Sequence, residues 1–413
     1  MNLVLQRKVL RVLSSAQILS GVGVTGTAAA GSLLVSEISK SETLAGLAQT
    51  TSVLGAAAMA LPLARLTQRG GRRLALSVGY SFGVLGTIIA IIGGSQRILF
   101  LMLMGTFFVG AASASAYQAR FAAIDLATSE SRSRDLSFVV WASTVGAVTG
   151  PNLMAPSGHI ATALGLPKLV GPFLIAAVSL TLATFVIRIF LKPDPYLTAN
   201  IASDGVTQKR HESTRDALKH IRSNPKSLFA ITTIAVGHLV MVSIMSMTPV
   251  HMAHKEVQLS IIGIVISVHV LGMYAFSPIV GWLTDRIGRI KVIQIGVVLL
   301  LLAALVSGTA DAMDAVRLGI GLFLLGLGWS CTLIAGSTYL SESVSVEMKP
   351  SSQGASDLVM NLTGAIGGAV SGVIIGTIGY SWLCALAAVP VSILGFWSLQ
   401  KKVFTANAKF TSR

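Results

Sequence analysis

The chain alternates between long apolar runs and short polar breaks. Twelve runs stand out, near 10–36, 44–64, 74–94, 98–126, 137–162, 168–191, 227–250, 260–284, 290–310, 315–339, 353–378 and 381–399. Roughly 20 apolar residues span the hydrocarbon of a bilayer as an α-helix, which satisfies its own backbone groups where water is absent. The pattern predicts an all-α membrane protein of twelve transmembrane helices. The breaks are short except at 192–226, which carries Lys209, Arg210, Glu212, Arg215, Asp216, Lys219 and Arg222 between Pro193, Pro195 and Pro225. This stretch divides the chain into an N-terminal six-helix bundle (1–191), a linker with a short surface helix around 212–222, and a C-terminal six-helix bundle (227–413).

Composition agrees. Hydrophobic residues make up 53% of the 413 residues and charged ones only 11%, with a mean hydropathy of +0.76; a soluble domain carries about 25% charged residues. The net charge of +15 is informative through its distribution. Counting alternate breaks, one side holds only Lys40, Arg97, Lys168, Lys255 and Arg317, and nearly all other basic residues fall on the opposite side. Basic loops stay in the cytoplasm, so both termini and the linker are expected there, in the inner membrane of a bacterium. That accounts for the charge without nucleic acid. The start (Arg7, Lys8, Arg11, then an apolar stretch) imitates a signal peptide, but the run is too long and a second follows at once, which marks an uncleaved first helix. Cys331 and Cys384 lie inside apolar runs with no CxxC spacing, as packing residues. No phosphate-binding GxxxxGK[ST] and no catalytic constellation is present, so the chain is expected to be neither ATP-driven nor an enzyme, to need no cofactor, and to work as a monomer.

Two patterns carry candidate chemistry. One is an internal echo: Ala64 to Arg73 after the second run and Gly281 to Lys291 after the eighth are 217 residues apart, and both pair Gly with clustered Arg. Duplicated halves of this kind characterise a large class of transporters. The first copy has Gln68 where the second has Asp285, so the stronger charged latch is expected in the second half. The other is a Met/His set. Met241 and Met245 are one turn apart, as are His269 and Met273, so each helix offers two donors on one face. An antiparallel hairpin of the two helices would set Met241 level with Met273 and Met245 level with His269. Three thioethers and an imidazole favour Cu(I); against this, methionine is an ordinary packing residue.

His238 lies one turn below Met241, while His251, Met252 and His254 lie at the outer mouth. Gln118, Arg120, Asn152 and Asn361 are polar residues within helices and candidates to face a central cavity; Arg120 is expected there or paired with Asp125 or Asp357. Gly146-xxx-Gly150-Pro151 is read as a close helix contact followed by a bend.

Gly281-xxx-Asp285-Arg286-x-Gly288-Arg289 resembles the loop motif of the major facilitator superfamily, whose fold is two pseudo-symmetric six-helix bundles rocking about a midplane site. The resemblance implies a gating role for Asp285, Arg286, Gly288 and Arg289, and for Arg69 and Arg72 of the first copy. The paired MxxxM and HxxxM motifs resemble those of the CcoA-like (CalT) copper importers within that superfamily. This implies that Met241, Met245, His269 and Met273, with His238 beside them, bind copper as a transported substrate. The alternative is a small-molecule transporter, a drug/proton antiporter or riboflavin-type uptake system, in which the Met cluster only lines the cavity.

Overall fold

The computed structural model describes residues 3–40, 44, 47–203, 221–253, 255, 257 and 259–400. Residues 212–220 of the expected helix at 212–222, His254 and the C-terminus beyond 400 lie outside these residues. The first half contains α1 (Leu3–Ser39), α2 (Leu47–Ser95), α3 (Leu99–Ala122), α4 (Arg132–Asn152), α5 (Met154–Ala163), α6 (Gly171–Phe190) and the short α7 (Pro195–Ser203). The second contains α8 (Pro225–Ala253), α9 (Leu259–Tyr274), α10 (Ser277–Ile287), α11 (Arg289–Gly308), α12 (Ala315–Ser343), α13 (Lys349–Thr377) and α14 (Tyr380–Ser398).

A straight 49-residue helix would run about 70 Å, far beyond the bilayer, and α2 does not. It doubles back at Gly71 (φ 81°, ψ 177°), a left-handed conformation that glycine adopts without strain. Gly55 on the first limb and Gly86 on the second both press against the α3 backbone, at Phe107 and Val109 respectively, so the limbs run antiparallel at one level. Ten helices among the described residues are long and apolar enough to cross a membrane, and the pair α4–α5, bent by 54°, makes an eleventh. Splitting α2 at Gly71 brings the crossings to twelve.

Two apolar runs are less regular than the pattern predicts. The run at 137–162 breaks at Leu153, just past Pro151, and that at 260–284 breaks at Ala275–Phe276, just before Pro278. Proline removes a helical hydrogen bond and clashes with the preceding turn. At the second break Ser277 Oγ donates to Tyr274 O (2.7 Å) and Ser137 O (3.1 Å), satisfying carbonyls beside the interruption.

Within the first half α1 packs on α4 and α6, and α2 on α3 and α6; within the second α8 packs on α12, α13 and α14, and α11 on α12 and α14. Helix backbones also come close where glycines meet: Gly146 faces Gly21, and Gly150 faces Gly26 and Thr25, which is the contact expected of the Gly146-xxx-Gly150 pair. The halves meet chiefly through α2 against α13 and α10 against α4.

Candidate functional site

A cavity of about 650 Å³ of empty space, counting its solvent-open part, lies between the halves. Helix α1 contributes Gln17, Ser20 and Thr25, α3 contributes Ser113, Tyr117 and Arg120, α4 contributes Ser143, and the second half adds Tyr274, Trp329 and Leu333. Gln17 Nε2 donates to Ser143 Oγ (2.9 Å), and the rings of Tyr274 and Trp329 meet edge to face at 5.8 Å. The wall thus combines hydroxyls, an amide, three aromatic rings and one guanidinium. Ligand cavities mix apolar walls with a few placed polar groups in this way.

Beneath the cavity, toward the end that carries the basic loops, the halves are locked. Arg120, 2% exposed, donates through Nη2 to Asp357 Oδ1 (2.6 Å), through Nε to Ser337 Oγ (3.2 Å) and through Nη1 to Tyr117 O (3.0 Å). Asp357 is thus its partner, and Asp125 is not. Below it stand the duplicated loops. In the first, Arg72 makes a two-pronged pair with Asp125 (2.8 and 3.2 Å) and donates to Gln353 Oε1 of the other half (2.6 Å). Gln68 Nε2 donates to Ser351 Oγ (2.8 Å). In the second, Asp285 accepts from the backbone N–H of Ser133 (3.0 Å) and Arg134 (2.8 Å) at the start of α4. Arg289 pairs with Glu342 (2.9 Å) and donates to Ser129 O (2.7 Å), and Arg132 also reaches Glu342 (3.0 Å). Gly288, like Gly71, has positive φ (98°). Arg286 is exposed and lies over the Trp282 ring at 4.9 Å, and Arg69 is exposed as well. Of the six gating candidates, Asp285, Arg289 and Arg72 hold the contacts, Gly288 shapes the turn, and Arg286 and Arg69 face away.

The Met/His set sits in the second half. Helix α12 passes between α8 and α9, which touch each other little. Gly237 and Ile234 of α8 abut Thr332 and Gly336 of α12, whereas Gly272 of α9 abuts Phe323 and the His269 and Met273 backbone abuts Gly326. Extended along both helices, this register puts Met241 level with Met273 and Met245 level with His269, but on helices separated by α12 rather than packed as a hairpin. Met241, Met273 and His269 are buried, and Met245 is half-buried. The carbonyl of Leu322 accepts from His269 Nδ1 (2.8 Å), which leaves a bare Nε2 that is buried with no partner among the described residues. His238 is buried, and its Nδ1 accepts from Trp329 Nε1 (3.1 Å). It therefore positions a cavity ring.

The remaining candidates point elsewhere. Gln118 is buried and donates to Ala60 O (3.0 Å), tying α3 to α2. Asn361 donates to Asp357 O one turn back (2.7 Å), and Asn152 is exposed and donates to Val148 O (2.6 Å). The cavity residues Gln17, Ser20, Thr25 and Ser143 did not stand out in the sequence. Their signal was the spacing Gln17, Ser20, Val24 with Gly21 and Thr25, a small polar stripe at helical period on α1.

The family model described as the Major Facilitator Superfamily matches residues 13–262 and 252–409. The uncharacterized MFS-type transporter YdeG of Bacillus subtilis is 35% identical over 385 residues, covering 93% of this chain and 90% of that protein. The riboflavin transporter RfnT of Brucella anthropi is 26% identical over 394 residues, covering 93% and 95%. Among solved structures, the fucose:proton symporter FucP of E. coli in the outward conformation superposes with a TM-score of 0.71 at 16% identity, covering 95% of this chain and 98% of that one. A bacterial homologue of the iron transporter ferroportin in an outward-facing state gives 0.72 at 13% identity, covering 96% and 100%. At these identities the structures speak for the fold alone.

Proposed function

This chain belongs to the Major Facilitator Superfamily, and we propose that within it the protein carries a small polar organic solute bearing a flat ring system. The observation behind this is the cavity wall: Tyr117, Tyr274 and Trp329 offer ring faces and edges, and Gln17, Ser20, Thr25 and Ser143 offer hydrogen bonds. Aromatic side chains favour stacked or edge-to-face partners, each such contact contributing about 0.5–1.5 kcal/mol beyond area burial. A bare metal ion has no use for such a wall. The protein is a multi-pass membrane protein and not an enzyme. We place its basic end in the cytoplasm, with the cavity loading from outside while the latches hold, and the monomer as the working unit.

Riboflavin is the first solute to test, because the wall suits an isoalloxazine ring and a relative is named for its transport. Cells expressing the chain should accumulate labelled riboflavin above an empty-vector control, and Trp329→Leu should remove most of the excess. Uptake indifferent to Trp329→Leu would sink the ring-binding reading. An impermeant thiol reagent should label a Cys at Lys255 and spare one at Arg69; the reverse pattern would turn the protein over.

Copper is the second reading, favoured by one observation: His269 presents a buried Nε2 with no partner among the described residues, at the level of Met245. A backbone carbonyl holding the far nitrogen is how a metal-binding imidazole is commonly oriented. Met→Leu keeps volume and apolarity, and such exchanges cost less than about 1.5 kcal/mol. Met241→Leu with His269→Gln should therefore abolish radiocopper accumulation if copper is the cargo. Unchanged accumulation in that double variant ends this reading and leaves riboflavin-type transport untouched.

A further inference from the structure

We propose that Arg120 is an oxyanion site in the cavity, so that the preferred solutes carry a carboxylate or phosphate along with the ring. This rests on the ring-binding reading above and deepens it. A guanidinium has five N–H donors. Those of Arg120 are used by Ser337 Oγ, Tyr117 O and Asp357 Oδ1, one each from Nε, Nη1 and Nη2. One donor on each terminal nitrogen remains, and a guanidinium with donors to spare is the side chain suited to a carboxylate or phosphate. The rings of Phe121 (4.5 Å) and Tyr117 (5.7 Å) lie against the guanidinium, which fixes its plane beside the cavity it borders.

The partner acid supports this. Asp357 is 1% exposed, yet it engages Arg120 through one oxygen only; its Oδ2 is buried and accepts nothing among the described residues. The nearby pair Arg72–Asp125 uses both carboxylate oxygens. Buried ion pairs hold best when geometry and remaining hydrogen bonds are complete, and Arg120–Asp357 is incomplete on both sides. The other charged and titratable groups around it are Tyr117 on α3, His238 on α8 and Arg72 on α2. None is an acid, so an arriving anion competes for Arg120 with Asp357 alone. Because that bond joins the two halves, an anion that weakens it also loosens the closed end.

Competition makes an unusual forecast. A pair serving only as a structural bolt is damaged by loss of either member. A competing acid, when neutralised, should improve anion binding. Binding to the full-length protein in detergent can be followed by quenching of flavin fluorescence. The probes are riboflavin, flavin mononucleotide and carboxymethylflavin, which present the same ring with no charge, a phosphate and a carboxylate. At least one charged flavin should bind about tenfold tighter than riboflavin, about 1.4 kcal/mol. Arg120→Gln should collapse that ratio, Arg120→Lys should restore part of it, and Asp357→Asn should raise it further. The proposal is overturned if neither charged flavin outbinds riboflavin, a comparison that needs no variant, or if Asp357→Asn lowers the ratio. Failure of all three flavins to bind removes the ring reading, and this proposal with it.

Discussion

The two glycine–arginine loops obey one offset and differ in how they spend their charges. Gln68 and Asp285, Gly71 and Gly288, Arg72 and Arg289, and Asp125 and Glu342 are each 217 residues apart. In both halves the Arg pairs with the acid at the far end of a later helix, and in both the glycine has positive φ. The first pair is dry, its side chains 1% and 2% exposed, whereas the second is 14% and 26% exposed. In exchange the second loop keeps Asp285, whose carboxylate caps the N-terminus of α4. A duplicated latch can thus hold its two copies closed by different means: a buried ion pair in one, a charge on a helix end in the other. The expectation from sequence, that the second copy carries the stronger charged latch, missed the buried pair.

The largest effect should fall on the dry pair. Arg72→Gln strands Asp125 in a buried site, and removing one partner of a buried pair costs about 3–5 kcal/mol. Arg289→Gln removes a half-wet pair, for which about 1 kcal/mol is the scale. Thermal unfolding in detergent should show the first variant severely destabilised and the second only slightly. Equal losses would dissolve the contrast.

Opening of the basic end should show the reverse asymmetry. Asp285 caps a helix N-terminus of the opposite half, an interaction of about 0.3–1 kcal/mol, rising to about 2 when partly buried. Gln68 reaches the other half through neutral hydrogen bonds, to Ser351 Oγ (2.8 Å) and, at longer range, Glu347 O (3.4 Å), the shorter of them about 1 kcal/mol. Spin labels at Arg188 and Lys291 should report a larger shift toward separated ends for Asp285→Asn than for Gln68→Ala. Transport should change in the same order. A larger shift at Gln68 would mean that the helix-end charge is idle.

Much of this was legible in the sequence. The apolar runs give twelve crossings because hydrocarbon admits few alternatives, and the Gly281–Lys291 motif marks the latch. Asp125 and Glu342 were legible in principle, since the offset that pairs Gln68 with Asp285 pairs them too. The Met/His hairpin was only half legible. Its levels agree with the register read through α12, but consecutive helices need not pack on each other, and α12 between them is set by contacts distant in sequence. Gln118 looked like a cavity residue because buried polarity shows in sequence while its direction does not; it is spent on the Ala60 carbonyl. Arg120 with Asp357 was one of two readings, and packing chose between them.

The smallest effect is the most discriminating. Asp285 works because Ser133 and Arg134 both offer a backbone N–H at the start of α4. The corresponding positions at the start of α13, by the same offset, are Pro350 and Ser351. Proline has no N–H to give, so an acid at 68 would find one donor where Asp285 finds two. This accounts for an amide that donates to Ser351 Oγ instead. Gln68→Asp alone should therefore change the stability of the closed end by no more than about 0.5 kcal/mol. Pro350→Ser restores the missing donor and by itself has little to bind. The two together should tighten the closed end by more than their sum, with a coupling of about 0.5–1 kcal/mol, as for neighbouring groups that share one interaction. The Arg188–Lys291 label pair reads this as a narrower, shorter distance in the double variant only. Strict additivity would show that proline is not the reason the first loop lost its acid.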